Sequence, residues 1–247
     1  YHTNVKEYDL LDEDVIVKDA LDKYNRGIPR YSMVASGKGL TPKDIDKICS
    51  ITRKIYEQAP GIKVCISGGI ISEESFEKLK AAGITRIHNN LETSRNFFPE
   101  ICTTHTYDQK IETIKAAQEA GMEICSGGLI GLGEDFKDRI DMALELRDLD
   151  VHSVPINLLN PIKNTPLENN EPLPMEEVNR TCATFRFIMP KALIRLAGGR
   201  ALMEEFGESA FKSGANAAIS GVLLTTKGIS IEAVSYTHLT LPTKRIV

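Results

Sequence analysis

The sequence predicts an α/β fold of parallel βα units, and three observations predict it. Short β-rich runs alternate with amphipathic helical stretches along most of the chain. Seven of those runs read as strands. A helix precedes the first of them, although in a right-handed βα succession that helix should itself follow a strand. The expectation is therefore a TIM-type (β/α)8 barrel whose first strand is missing from this chain and lies upstream of Tyr1. A doubly wound open sheet is the rival arrangement.

The elements follow in order. Asp12 to Gly27 reads as a helix: Val15, Ala20, Leu21 and Tyr24 recur at helical spacing, and Gly27 ends it. Arg30 to Ala35 is a strand. Thr41 is the expected N-cap, with Pro42 at the first helical position, of a helix running towards Ala59. Lys63 to Ser67 is a strand, and Ser72 caps a helix to Ala82 with Glu73 and Glu74 in its first turn. Further strands are expected at Thr85–Asn89, Glu123–Ser126, Ser153–Leu158, Ala192–Leu196 and Ala217–Gly221. Helices are expected between them at Tyr107–Ala120, Asp135–Leu149, Met175–Met189 and about Met203–Ser213. Residues 1–234 form the expected barrel. Ser235 to Val247 (SYTHLTLPTKRIV) breaks the rhythm and reads as a foreign or disordered tail.

Composition narrows the function classes. The 247 residues, 42% hydrophobic and 26% charged, suit one domain with a sizeable core. A formal net charge of −4 gives no basic footprint, so no nucleic-acid partner is expected. No segment approaches the ~18 consecutive apolar residues of a membrane span, and Tyr1 to Asp9 lack the layout of a signal peptide. Five cysteines in such a chain do not resemble a secreted disulfide framework, so a cytoplasmic location is expected.

Active sites of such barrels form where strands end, and polar or sulfur-bearing residues collect there. Cys65 precedes Ser67-Gly68-Gly69, Asn89, Asn90 and Glu92 end the next strand, and Cys125 precedes Ser126-Gly127-Gly128. Asn157 ends one strand, Arg195 lies in the following one, and Thr225 and Thr226 follow the last. A lone strand cysteine is usually a small core residue; two on separate strands, each just before a Ser-Gly-Gly turn, are weighed evenly between packing and chemistry. Cys49 and Cys182 fall on helices among apolar neighbours and read as packing, and Cys102 leans the same way. An Arg aimed inward from a barrel strand requires a polar or anionic partner. Asn90 and Glu92 could equally cap a turn. The run Gly127 to Glu134 lacks the Lys-Ser/Thr ending of a phosphate loop; close approach of its backbone to a nucleoside-like ligand is the favoured reading, with tight-turn packing as the alternative.

Six collinear blocks carry a resemblance. They are Asn90-Leu91-Glu92-Thr93-Ser94; Thr103-Thr104-His105-Thr106-Tyr107; and Cys125-Ser126-Gly127-Gly128 through Gly131-Leu132-Gly133-Glu134 with Asp138-Arg139. Then come Val154-Pro155-Ile156-Asn157 with Thr165-Pro166-Leu167; Ile194-Arg195-Leu196 with Gly199-Arg200; and Gly214-Ala215-Asn216-Ala217 with Leu224-Thr225-Thr226. In order and spacing they resemble the biotin synthase family, within the radical S-adenosylmethionine (SAM) superfamily, over nearly the whole chain to about Glu232.

The resemblance implies a homodimeric radical SAM enzyme that inserts sulfur into dethiobiotin to form biotin. It also implies a 4Fe-4S cluster, SAM, an auxiliary iron–sulfur cluster and an electron donor such as flavodoxin or ferredoxin. By similarity Cys65, Cys125 and Arg195 are auxiliary-cluster ligands, Asn90 and Glu92 contact the SAM ribose, and Asn90, Asn157 and Thr225 contact dethiobiotin. Thiolate is the expected ligand for such iron, and the cofactors rather than side-chain acid–base groups carry the hard step.

Two departures stand out. No spacing among the five cysteines gives the CxxxCxxC motif of the radical-generating cluster, which in the family lies just upstream of Tyr1; the chain alone is expected to be inactive. Ser32 also stands where well-known members carry a further auxiliary-cluster cysteine, and a hydroxyl is a poor ligand beside soft thiolates. The rival readings are a related radical SAM enzyme without sulfur insertion, of the hydrogenase-maturation or methylornithine-forming type, and a non-catalytic ligand-binding fragment.

Overall fold

The computed structural model describes residues 9–220. In chain order the elements are α1 Glu13–Asn25, β1 Arg30–Val34, α2 Pro42–Gln58, β2 Lys63–Ser67, α3 Glu73–Ala81, β3 Arg86–His88, α4 Phe98–Ile101 and α5 Tyr107–Glu119. There follow β4 Glu123–Cys125, β5 Gly128–Ile130, α6 Phe136–Asp148, β6 Ser153–Leu158, α7 Met175–Ile188, β7 Leu193–Leu196, α8 Glu208–Lys212 and β8 Ala217–Ala218. The protein is an α/β protein with parallel strands. Among the described residues no helix is long and apolar enough to cross a membrane.

The chain divides into two compact units. The first holds residues 9–90 and 103–125, the second 91–102 and 126–220.

In the first unit β1, β2, β3 and β4 pair in that order, all parallel. The helices begin where the sequence places them. Thr41 and Asp44 form a reciprocal capping box on α2 with Pro42 at its first position, Ser72 caps α3, and Thr106 with Gln109 caps α5. Along α2 the stripe Ile45, Ile48, Ile51 and Ile55 is buried at helical spacing; each such side chain contributes about 1.5–3 kcal/mol. On β2 alternation divides the strand, with Val64 and Ile66 in the apolar core and Lys63, Cys65 and Ser67 on the opposite face.

In the second unit β5, β6, β7 and β8 pair in that order, again all parallel. Met142, Ala143 and Leu146 of α6 are buried, as are Val178, Cys182 and Phe185 of α7 and Ile194 and Leu196 of β7.

Two expectations are corrected and one element is added. Gly128–Ile130, read as loop, is a strand, so the described residues hold eight strands rather than seven; three residues starting at a glycine carry too little β signal to stand out. The helix expected over Met203–Ser213 is broken. Two 3-10 turns at Arg200–Leu202 and Glu204–Gly207 precede the five-residue α8, and Glu205 and Phe206 take positive φ of 44° and 52°. The α4 turn at Phe98–Ile101 had no counterpart in the sequence reading. Gly221, Thr225, Thr226 and the tail 235–247 lie outside the described residues.

Candidate functional site

The polar face of the first unit is built from register. Ser32 pairs with Cys65 and Cys65 with Arg86, while His88 pairs with Cys125. Partners across a parallel ladder present side chains to the same face, so Ser32, Cys65, His88 and Cys125 project together from four neighbouring strands. Cys65 and Cys125 are buried, His88 is half-buried and Ser32 is exposed. The Cys65 Sγ lies 3.1 Å from His88 Nε2 and 3.4 Å from the Tyr31 carbonyl. Cys125 is close enough for a charge on it to be felt at Cys65.

Burial pushes the Cys65 thiol above its ordinary value, opposed by a hydrogen bond with Ser32 and by the charges of Arg30 and Arg86. Those guanidinium groups share one acid at the same strands. Arg86 holds Glu123 through Nε at 2.9 Å and Nη2 at 2.7 Å, and Arg30 Nη2 reaches it at 3.2 Å. Two cations against one carboxylate leave a local positive excess, which would favour the thiolate form in a cysteine holding iron. The set suits an iron–sulfur cluster: two buried sulfurs and an imidazole from three adjacent strands. No three His, Cys, Asp or Glu side chains among the described residues converge on a single metal ion; a cluster of several irons spreads its ligands over a wider span than one ion does.

In the second unit Glu92 is held with φ of 72°, in the left-handed region where a residue with a side chain is strained. Its N–H donates to the Gly127 carbonyl at 3.1 Å and its carbonyl accepts from Leu129 at 2.8 Å, so the backbone is tied on both sides. Such strain gathers at ligand-binding positions. Asn157 is more committed than its sequence reading suggests. Its Nδ2 donates to the Gly128 carbonyl at 3.0 Å and its Oδ1 accepts from Gly198 N–H at 2.9 Å, linking β5 to the chain just after β7. One amide N–H and one lone pair remain for a ligand. Arg195 is half-buried, and its Nε donates to Ser153 Oγ at 2.8 Å; it pairs with Pro155 and so shares a face with Ser153 and Asn157.

The glycine run has a packing role at Gly127 and Gly128. A Cβ on Gly127 would stand 2.0 Å from the Pro155 carbonyl oxygen, and one on Gly128 would stand 2.4 Å from that of Glu92. Both glycines let backbone meet backbone. The following turn is organised by Glu134, which accepts from Gly131 N–H at 2.9 Å and Leu132 N–H at 2.7 Å. Arg139 completes the arrangement, reaching Glu134 at 2.8 Å and Glu177 at 3.0 Å.

Of the residues singled out in the sequence, Ser32, Cys65 and Cys125 are brought together in the first unit, where Asn90 follows β3 half-buried. Glu92, Asn157 and Arg195 belong to the second. Cys49 and Cys182 are buried on helices, as expected for packing. Sequence reasoning missed His88. The available signal was its place two residues after Arg86 on a short strand, which puts both on the face that carries Cys65 and Cys125. The five cysteines give no CxxxCxxC spacing, so these residues do not fit the radical-generating cluster.

Comparisons with known proteins converge on one family. The profile of the radical SAM superfamily matches residues 1–146, and that of the Biotin and Thiamin Synthesis associated domain matches 155–237. The chain is 54% identical over 232 residues to biotin synthase of Brachyspira hyodysenteriae, covering 94% of this chain and 69% of that protein. It is 55% identical over 229 residues to biotin synthase of Clostridium botulinum, covering 93% and 72%. Among solved structures, methylornithine synthase matches with a TM-score of 0.76 at 17% identity, over 96% of this chain and 74% of that one. The hydrogenase maturase HydG from Carboxydothermus hydrogenoformans matches with a TM-score of 0.74 at 17% identity, over 92% and 58%. These two likenesses show the fold. Sequence identity above one half with biotin synthases, together with both profiles, shows that the chain belongs to the biotin synthase family of the radical SAM superfamily.

Proposed function

We propose that this protein inserts sulfur into dethiobiotin to form biotin, working as a cytoplasmic homodimer supplied with electrons by a flavodoxin or ferredoxin. The observation that carries the reading is the placement of Cys65 and Cys125 on one face of β2 and β4, flanking β3. Identities of 54–55% with biotin synthases, against 17% with the methylornithine synthase and HydG structures, favour sulfur insertion over the related radical chemistries. Residues 1–234 are assigned to a partial radical SAM barrel in this reading, and 235–247 to a foreign or disordered tail.

When bound, SAM and the iron–sulfur clusters supply the radical that removes hydrogens from dethiobiotin and the sulfur that replaces them. The chain's own residues hold and orient. Cys65, Cys125 and Arg195 are the ligands of the auxiliary cluster in this reading. Glu92 and Asn90 receive the ribose hydroxyls of SAM, the strained backbone of Glu92 fixing where its carboxylate starts. Asn90, Asn157 and Thr225 meet the ureido ring of dethiobiotin, whose polar atoms need partners once water is excluded.

The test joins this chain to the upstream segment of the Brachyspira relative and assays dethiobiotin conversion anaerobically. Biotin is expected, with loss in Cys65→Ala and Cys125→Ala; a product without sulfur would overturn the assignment. The chain alone, having no CxxxCxxC motif, is expected to release no 5′-deoxyadenosine from SAM, and release would overturn that expectation.

A further inference from the structure

We infer that His88 is a ligand of the auxiliary cluster, giving iron a nitrogen donor between Cys65 and Cys125 on a face where Ser32 offers only a hydroxyl. The inference rests on the proposed function and deepens it. Three observations carry it. First, the His88 Nε2 lies 3.1 Å from the Cys65 Sγ, so an atom bound to that sulfur is within reach of the ring. Second, His88 pairs in register with Cys125, so the imidazole springs from the strand between the two cysteines, on their face. Third, Ser32, the residue of β1 paired with Cys65, offers only a hydroxyl on that face. A hydroxyl is a hard, weak donor towards iron in a sulfide-rich cluster, whereas imidazole is a recognised iron ligand that can stand in for thiolate.

The rival use of a Cys–His contact is a nucleophilic pair, with the imidazole taking the thiol proton. That needs a thiol accessible to substrate. Cys65 is buried to 1% exposure, so its sulfur is closed to a substrate. On iron binding, the Cys65 S–H bond breaks, its proton leaves to solvent and the thiolate pair bonds iron. The imidazole binds through the neutral Nε2 lone pair with its proton on Nδ1, so His88 releases none, and no electrons are transferred.

The absence of a CxxxCxxC motif makes the test direct, because a cluster built in this chain reports the auxiliary site. The chain is reconstituted anaerobically with ferrous iron and sulfide, chemically reduced, and studied by pulsed electron paramagnetic resonance with and without ¹⁵N-histidine. Histidine-specific label separates imidazole from the guanidinium nitrogen of Arg195. A nitrogen coupling that changes isotope with the label in the unmutated chain, and vanishes in His88→Asn, is the expected result; far-UV circular dichroism confirms the variant is folded. If the cluster needs Cys65 and Cys125 but carries no histidine coupling, the His88 inference falls and the cysteine assignment stands. If the cluster survives Cys65→Ala and Cys125→Ala, or the chain takes up no iron, both fall.

Discussion

Two buried thiols, one in each unit, sit in opposite chemical settings. Cys182 on α7 is sealed in the apolar core of the second unit, and burial alone drives its pKa from 9.0 to about 12. Cys65 on β2 is just as inaccessible and is also raised, but Ser32, Arg30 and Arg86 pull against the burial and an imidazole stands at hydrogen-bonding distance. Burial therefore does not distinguish a cysteine packed in an apolar core from one on a polar face. What surrounds the sulfur does. The same contrast runs through the polar groups of the two units: Glu134, Arg139 and Asn157 are largely saturated by their own unit, whereas the donors on β2, β3 and β4 gather on one face.

The largest expected effect tests that saturation. Glu134→Ala leaves the buried Arg139 without its principal partner and orphans two backbone N–H groups. A loss of about 3–5 kcal/mol is expected in urea unfolding, and a loss under 1 kcal/mol would mean the network is not what holds the turn. Next, Asn157→Ala removes two hydrogen bonds and strands the Gly198 N–H and Gly128 carbonyl, at about 1–3 kcal/mol. The same variant should weaken dethiobiotin binding only if the amide's remaining capacity is used by the ligand.

The thiol comparison itself sharpens with pH. Cys182 keeps its proton in the folded state to about pH 12 while the unfolded chain releases it near 9.0. The stability tied to it is therefore fully present below pH 9 and lost as pH rises from about 9 to 12, at roughly 1.4 kcal/mol per pH unit. Cys182→Ala pays a constant packing cost but should remove that slope, read as the difference between the two unfolding profiles; identical slopes would break the contrast. Smallest is Glu92→Asn. Asparagine tolerates the left-handed region better, so a gain of about 0.5–1 kcal/mol is expected, with weaker SAM binding measured by calorimetry on the chain joined to the upstream segment of the Brachyspira relative.

The site was legible to the extent that its residues are local. Cys65 and Cys125 were singled out because each precedes a Ser-Gly-Gly turn at a strand end. Arg195 was singled out because a charged residue between Ile194 and Leu196 must face a polar partner, and Ser153 Oγ is one. His88 escaped because nothing in Ile87-His88-Asn89 sets it apart; only register with Cys125 places it on that face. The packing role of Gly127 and Gly128 was not legible because a glycine that admits a ligand and one that admits a neighbouring strand look alike in sequence. The broken stretch at Glu205 and Phe206 misled because helical propensity carries no notice of a positive φ imposed by surroundings.

By itself the sequence determined the βα alternation, the capping of α2, α3 and α5, the apolar stripes and the family blocks. These depend on chemical groups within a few residues of one another, where spacing along the chain is distance in space. Tertiary structure decided which donors share a face, which amide is consumed by its own fold and which glycines carry backbone contacts. Those depend on strand register, and a shift of one residue turns every side chain to the other side of the sheet.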